Sequence, residues 1–147
     1  MDWSRLFPKI EKDYTGSKFP FYFLILIAII STIRSLFHVI APDGGASSIA
    51  GIDIAVQGGT NIVAIFAQWG ALQLLLALFY WLVIFRYRFL VPVMLGVVAI
   101  EQLFRMGAGQ LKPLEISSPP PGATGSEILL PISVVVFLWS LYHNPKK

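Results

Sequence analysis

Ionisable side chains recur at helical spacing inside apolar stretches of this sequence. Arg34 and His38 are four residues apart, as are Glu101 and Arg105, so each pair shares one face of a helix. Gln102 adjoins the second pair. A charge at the centre of a bilayer costs about 2.5–3.5 kcal/mol, so such residues usually face a bundle interior and have partners. The pattern therefore predicts a polar layer inside a membrane protein.

Amide side chains in a third apolar stretch extend this layer. Asn61 and Gln68 are seven residues apart and share a face, whereas Gln73 lies on another. Depth can be counted at about 1.5 Å per residue from the end of each apolar stretch that is flanked by basic residues, which is the predicted cytoplasmic end. The charged residues and Gln68 then lie roughly 20 to 26 Å deep, and His38 lies about 30 Å deep. These depths converge on the outer third of the membrane. The predicted ligand-binding residues are Arg34, His38, Gln68, Gln73, Glu101 and Arg105.

Two arginines at one depth favour an anionic or amphipathic ligand. Guanidinium groups hold carboxylates or phosphates by paired hydrogen bonds, so a lipid headgroup, a quinone-like carbonyl or an organic acid would suit the layer. Glu101 and His38 are the candidate catalytic residues, since a buried carboxylate and an imidazole can form a proton-transfer pair. A structural alternative is equally open: Glu101 neutralises Arg105 or Arg34, or the cationic side chains extend to the outer headgroups.

Cysteine and histidine usage limits the cofactors. The chain contains no cysteine, which excludes thiolate metal sites, iron–sulfur clusters and CxxC redox chemistry. One embedded histidine and one embedded carboxylate are too few for a metal or haem site, and His143 is predicted at the opposite membrane face. The sequence has no Walker loop, GxSxG or HExxH motif. No metal is expected, and the identity of any cofactor stays open.

Long apolar helices must position the layer. The 147 residues are 56% hydrophobic and 13% charged, whereas soluble domains carry about 25% charged residues. The pattern predicts an all-α domain over residues 19–142, a bundle of four transmembrane helices at about 19–41, 61–85, 89–109 and 126–142. Ser126 is a candidate cap for the last helix. The apolar run of that helix is only 15 residues, so an incomplete crossing is an alternative.

The first connecting segment, residues 42–60, is rich in glycine, serine and aspartate. Pro42, Gly44 and Gly45 predict a helix stop followed by a turn. A short interfacial helix is expected over residues 49–56. The second outer connection, residues 110–125, contains a proline run that predicts a stiff polar loop.

Basic residues are distributed unequally between the two sides of the predicted bundle. Only Lys112 lies on one side, and eight residues lie on the other: Arg5, Lys9, Lys12, Lys18, Arg86, Arg88, Lys146 and Lys147. The positive-inside rule then places both termini in the cytoplasm (N-in/C-in), with the bacterial inner membrane as the expected location. This topology explains the net charge of +3 better than nucleic-acid binding does.

Three further features are predicted on the cytoplasmic side of the membrane. Residues 1–18 form a cytoplasmic segment, which either lies on the membrane surface or is a loose tail. Residues 143–147 form a cytoplasmic tail. An aromatic cluster at the end of the second span is typical of an interfacial belt, and its members are Phe79, Tyr80, Trp81 and Phe85.

The order of these segments resembles the small four-helix bacterial membrane proteins of the DoxX-like type. The resemblance covers residues 19–142 and rests on "HVIAPDGG", "AGID", "NIVAIFAQWGALQLLLALFYWLV", "RYR" and "EQLFRMGAGQ". The second helix carries the aromatic-Gly-small-Leu-Gln stretch over Trp69–Gln73. Some DoxX relatives are associated with oxidoreductase or quinone-linked complexes, so the resemblance implies the four-helix fold and allows a quinone-linked role. The lack of cysteine argues against a thiol-redox role.

Two functional hypotheses follow. The leading one is a non-catalytic membrane protein that binds a lipid-like or quinone-like ligand, or that serves as an accessory subunit of a larger membrane complex; a homo-oligomer is also open. The alternative is a membrane enzyme that uses Glu101 and His38 for proton transfer on a hydrophobic substrate. A transporter is disfavoured because four spans enclose little aqueous volume and no inverted repeat is evident.

Overall fold

A computed structural model describes residues 13–116 and 119–142 of the chain, and these residues form four α-helices. The helices are α1 (Lys18–Ile40), α2 (Gly59–Phe85), α3 (Val91–Leu111) and α4 (Pro121–Ser140), with a 3₁₀ turn at Arg88–Leu90. All four are long and apolar enough to span a membrane. The predicted all-α, four-helix fold is confirmed, and the chain is a small integral membrane protein. Most of the predicted N-terminal segment and the whole 143–147 tail lie outside the described residues.

The four helices pack as two hairpins, α1 with α2 and α3 with α4. Lys18, Arg86 and Arg88 gather at one end of the bundle, which we call the basic end. There the Arg88 guanidinium lies 5.2 Å from the centre of the Phe21 ring. Lys112 lies at the opposite end, which we call the loop end. The assignment of the basic end to the cytoplasm stays a prediction.

The apolar core occupies the half of the bundle nearer the basic end. Its members come from all four helices and are Leu24, Ile27, Ala28, Tyr80, Val83, Ile84, Val91, Leu95, Val98 and Val136. The last core positions on α1 and α3 are followed within about two turns by Arg34 and Glu101. The apolar core therefore ends where the ionisable residues begin, and the polar layer lies in the loop half of the bundle.

The fourth helix begins five residues before the predicted start at Ser126. Pro120 is extended (ψ 149°) and Pro121 takes the first helical turn, where the missing N–H of proline costs nothing. Ser126 therefore does not cap the helix; its hydroxyl donates to the Gly122 carbonyl at 2.9 Å. With 20 residues α4 is about 30 Å long, which is sufficient for a crossing.

Only part of the predicted aromatic belt faces outward. Phe79 and Phe85 are exposed, but Tyr80 is fully buried in the core. The indole N–H of Trp81 donates to the Thr32 hydroxyl at 3.0 Å, joining α2 to α1 inside the bundle. The belt prediction is wrong for Tyr80, because helical rotation directs it towards neighbouring helices rather than lipid, whereas Trp81 is partly buried and stacks on the exposed Phe85.

The turn after α1 forms where the sequence predicts it. Gly44 and Gly45 adopt φ of +59° and +79°, a region that side chains with a Cβ rarely enter. The expected helix over residues 49–56 is wrong, since this segment consists of turns and irregular backbone. Gly51 has φ +69°, and the Asp53 carboxylate accepts from the Ala55 N–H at 2.8 Å. This side-chain bond competes with helical backbone bonding.

The Asp43 carboxylate organises the same turn and gives it a predictable pH dependence. It accepts from the backbone N–H groups of Ser48 at 2.7 Å and Gly45 at 3.0 Å. These bonds, that of Ser48 first, lower the pKa of Asp43 from 3.8 to about 2. Because the folded-state pKa is the lower one, the stabilisation is complete above pH 3.8 and is lost as the pH falls through about 2.

We expect hydrogen exchange at the Gly45 and Ser48 amides, normalised to intrinsic rates, to accelerate over this acidic interval. Asp43→Asn should already exchange fast at neutral pH and show no such step. Asp53→Asn is the matched control, because that carboxylate bonds to a different amide. A pH step that persists unchanged in Asp43→Asn would contradict the assignment.

Candidate functional site

Glu101 is the centre of a charged cluster in the loop half of the bundle. Its Oε1 lies 3.7 Å from Arg34 Nη2 and 3.7 Å from Arg105 Nη1. The Tyr80 hydroxyl donates to its Oε2 at 3.3 Å. Arg105 stands one turn along the same helix, whereas Arg34 reaches across from α1 and Tyr80 from α2. One carboxylate thus faces two guanidinium groups, and these three ionised groups carry a net charge of +1.

Each arginine has one further polar partner. Arg34 Nη2 donates to Gln73 Oε1 at 2.6 Å, and Arg105 Nε donates to the Ser126 hydroxyl at 3.2 Å. Among the described residues, Arg34 Nε and Arg105 Nη1 are buried without a hydrogen-bond partner. A guanidinium group has five N–H donors and no acceptor, so the cluster contains more donors than its acceptors can satisfy.

An aromatic wall supports both guanidinium groups. The Cζ atoms of Arg34 and Arg105 lie 5.9 Å and 5.2 Å from the centre of the Trp69 ring. The rings of His38 and Phe66 lie 4.8 Å and 5.9 Å from the same ring. Cation–π attraction at such distances partly offsets the cost of holding two positive charges in an apolar region.

His38 is 4% exposed and is fixed by the loop that follows α1. Its Nδ1 lies 2.7 Å from the Gly44 carbonyl oxygen, which can only accept, so Nδ1 is the protonated nitrogen. Glu101 lines the same cavity as His38, but its polar contacts lead to Tyr80 and the two arginines. The two candidate catalytic residues therefore share a cavity and have different hydrogen-bond partners.

A cavity of about 550 Å³ lies between the helices beside the cluster, within the usual volume range of ligand sites. Its polar wall contains Arg34, Glu101 and Arg105, and its apolar wall contains isoleucines and a leucine from α1 and α4. These are Ile27, Ile30, Ile128, Leu129 and Ile132. Ile30, Ile128 and Ile132 are about half exposed. The apolar part of the cavity therefore opens through the side of the bundle, between α1 and α4.

A second cavity of about 690 Å³ adjoins the first at the loop end. Trp69, Arg105 and Ser126 line both cavities. Arg105 is therefore reached from two directions, from the side of the bundle and from its loop end.

The structure brings most of the predicted ligand-binding residues together. Arg34, His38, Glu101 and Arg105 all line the first cavity, as does Gln102. Gln73 joins them through Arg34, although it was predicted on a different face of its helix from Gln68. Gln68 does not join, because it lies exposed on the outside of α2.

Three residues of the site escaped prediction: Trp69, Tyr80 and, as an arginine partner, Ser126. Tyr80 follows Gln73 by seven residues, a spacing that places both on one face of α2. That spacing could have identified both residues as facing inward. Trp69 and Ser126 had no comparable pattern around them.

The fold and the site define a small four-helix membrane protein with a charged cavity open to the side of the bundle. Comparison with known proteins finds no family model, curated protein or solved structure that matches the chain. What the cavity can bind must therefore be inferred from its own chemistry.

Proposed function

We propose that the protein binds an anionic amphiphile from the membrane, a lipid-like or acidic quinone-like molecule, in the cavity between α1 and α4. The observation that carries this proposal is the pairing of two arginines with a single carboxylate at the polar end of a laterally open apolar cavity. Ligand binding of this kind fits the leading hypothesis from the sequence.

The head group is inferred from charge and hydrogen bonding. A phosphate or carboxylate would neutralise the net charge of +1, and an uncompensated charge is costly in a membrane. It would also accept from guanidinium N–H groups of Arg34 and Arg105, both of which line the cavity. Guanidinium suits this task because its planar donors match the oxygens of both anions.

The tail is inferred from the apolar wall. Ile30, Ile128 and Ile132 line the cavity and are also partly exposed on the outside of the bundle. A hydrocarbon chain could lie against them with its far end in the bilayer. With the basic end in the cytoplasm, the head group would lie in the outer third of the membrane.

Other hypotheses from the sequence stay predictions. They are an accessory role in a membrane complex, DoxX-like membership, and proton transfer by Glu101 and His38. A turnover that Glu101→Gln abolishes without loss of ligand binding would favour the enzyme. Native mass spectrometry of gently solubilised protein would reveal a co-purifying ligand or partner chain.

Arginine substitutions test the proposed ligand directly. We expect Arg34→Gln and Arg105→Gln each to weaken binding of dodecyl phosphate by about tenfold, because each removes charge-assisted hydrogen bonds. Binding is measured by isothermal titration calorimetry on protein in phosphatidylcholine nanodiscs. Lys112→Gln is the matched control, since it removes an exposed positive charge near the end of α3 but lies outside both cavities.

Dodecanol and an uncharged quinone serve as neutral probes in the same titration. The proposal requires that dodecyl phosphate bind more tightly than either. Equal binding of dodecanol would contradict the role of the anionic head group, and tighter binding of the quinone would favour a neutral ligand. Unchanged binding in both arginine variants, with folding verified by thermal unfolding, would mean that the cluster is structural.

A further inference from the structure

Gln68 occupies an unusual position for an amide side chain. It is exposed on the outside of α2, 9 residues from Gly59 and 17 from Phe85, or about 14 and 26 Å from the helix ends. That depth lies within the hydrocarbon region of a membrane about 30 Å thick. Within residues 13–116 and 119–142 no side-chain hydrogen bond reaches Gln68. An amide facing lipid without a partner is costly, so it calls for a partner from outside the chain.

Gln68 lies in the middle of a regular seam on α2. Among the exposed residues of α2, one row recurs at alternating steps of three and four, which is the spacing of the a and d positions of a coiled coil, and Ile65, Leu72 and Phe79 are exposed beside it. The members of this α2 seam are Asn61, Ala64, Gln68, Ala71, Leu75 and Leu78, and all six are exposed. Helices with such a seam pack side by side at a crossing angle near +20°.

The composition of the seam favours a second copy of the same chain as its partner. All copies of a membrane protein have one orientation, so a two-fold axis along the membrane normal makes the two α2 helices parallel. Each seam residue then faces its own copy. An amide has both donors and an acceptor and can pair with itself. The seam contains no charged residue that would repel its copy, and Ala64 and Ala71 allow the two backbones to approach closely.

We infer that two copies of this chain associate through the α2 seam, with Gln68 hydrogen-bonded to Gln68 of the partner subunit. Polar residues at a positions, here Asn61 and Gln68, are also the type of feature that fixes the register of paired helices. Gln68 and Gln73 differ by about 140° in direction around α2, so the seam points away from the cluster that Gln73 joins. The dimer therefore leaves the opening between α1 and α4 free.

Disulfide crosslinking tests the geometry, and the lack of native cysteine makes the experiment clean. When membranes that contain the protein are treated with a thiol oxidant, Ala71→Cys and Leu75→Cys should each give a covalent dimer. Leu103→Cys on α3 is the matched control, because Leu103 is also exposed and lies about 18 Å from the basic end of its helix, against about 21 Å for Ala71. Equal crosslinking at Leu103 and Ala71, or none at the seam, would overturn the inference.

Substitution of Gln68 tests its energetic role. Gln68→Leu should lower the dimer association constant roughly threefold to tenfold, the range expected for a hydrogen bond between membrane helices. Gln68→Asn, which keeps an amide, should retain more of the affinity. The readout is the dimer fraction from single-molecule photobleaching in phosphatidylcholine vesicles at increasing dilution. An unchanged fraction in Gln68→Leu would overturn the assignment. If that variant fails to fold, the crosslinking pattern, which retains Gln68, decides.

The dimer proposal and the ligand-binding proposal can be refuted independently of each other. Ala71→Cys crosslinking needs no ligand, and dodecyl phosphate binding needs none of the α2 seam residues. A monomeric protein that binds the phosphate would refute only the dimer, and a dimeric protein that does not bind it would refute only the ligand.

Discussion

Glu101→Gln is expected to destabilise the bundle by about 3 kcal/mol, while strengthening the binding of an anionic amphiphile. The loss of stability follows because removing one member of a buried ion pair leaves its partners uncompensated, which costs about 3–5 kcal/mol. We expect the lower end of this range because the Arg34 side chain is 30% exposed and so is not fully buried, although the Glu101 side chain is only 16% exposed. Two guanidinium groups would then share the site without their carboxylate.

The gain in affinity has the same origin as the loss of stability. Without Glu101 the net charge of the cluster rises from +1 to +2, so a bound phosphate replaces the missing anion. A cluster that serves only the fold would show the loss of stability without the gain in affinity. The opposite signs of the two effects therefore separate the ligand-binding proposal from the structural alternative.

Unfolding in mixed micelles measures the stability of this variant, and titration with dodecyl phosphate measures its affinity. Glu115→Gln is the matched control, since Glu115 is exposed in the loop after α3 and should alter neither quantity appreciably. The double variant Glu101→Gln/Arg105→Gln should recover part of the stability lost in Glu101→Gln, because the two residues are coupled, and a double-mutant cycle measures this coupling. Full stability in Glu101→Gln would show that the carboxylate is dispensable to the fold.

Gly70→Ala is expected to destabilise the bundle by about 1–3 kcal/mol, the usual cost of overpacking. A Cβ on Gly70 would lie 2.6 Å from the Cβ of His38 and 3.1 Å from the carbonyl oxygen of Ser35. Both atoms belong to the framework of α1 and cannot rotate away. The two helices must therefore separate at this level, which also strains the Arg34–Gln73 hydrogen bond and the contact of His38 with the loop that follows α1.

A glycine on α3 provides the matched control for this prediction. At Gly107 a Cβ meets nothing within 4 Å, so Gly107→Ala should be neutral or stabilising by up to about 1 kcal/mol through helix propensity. The comparison uses unfolding in mixed micelles for both variants. If the two substitutions changed stability by the same amount, the close approach of α1 and α2 at Gly70 would not be a determinant of the fold.

The sequence by itself determined the number of helices and the position of the ionisable residues along them. Both follow from one-dimensional quantities, the length of each apolar run and the helical rise per residue. The i, i+4 spacing was also sufficient to place Arg34 with His38, and Glu101 with Arg105, on shared faces. The helix stop before Gly44 followed from local backbone preferences. None of these features depends on how the helix packs against its neighbours.

Only the tertiary structure decided which way each helix is rotated. Gln68 and Gln73 lie on the same helix, five residues apart, yet one faces outward and the other reaches Arg34. The α2 helix is apolar on nearly every side, so no hydrophobic face in its sequence indicates the direction of the core. The same ambiguity hid Tyr80 in a supposed interfacial belt. The partners of Glu101 therefore depended on packing against α1 and α2, because rotation is set by contacts between helices and position along a helix is set by the chain alone.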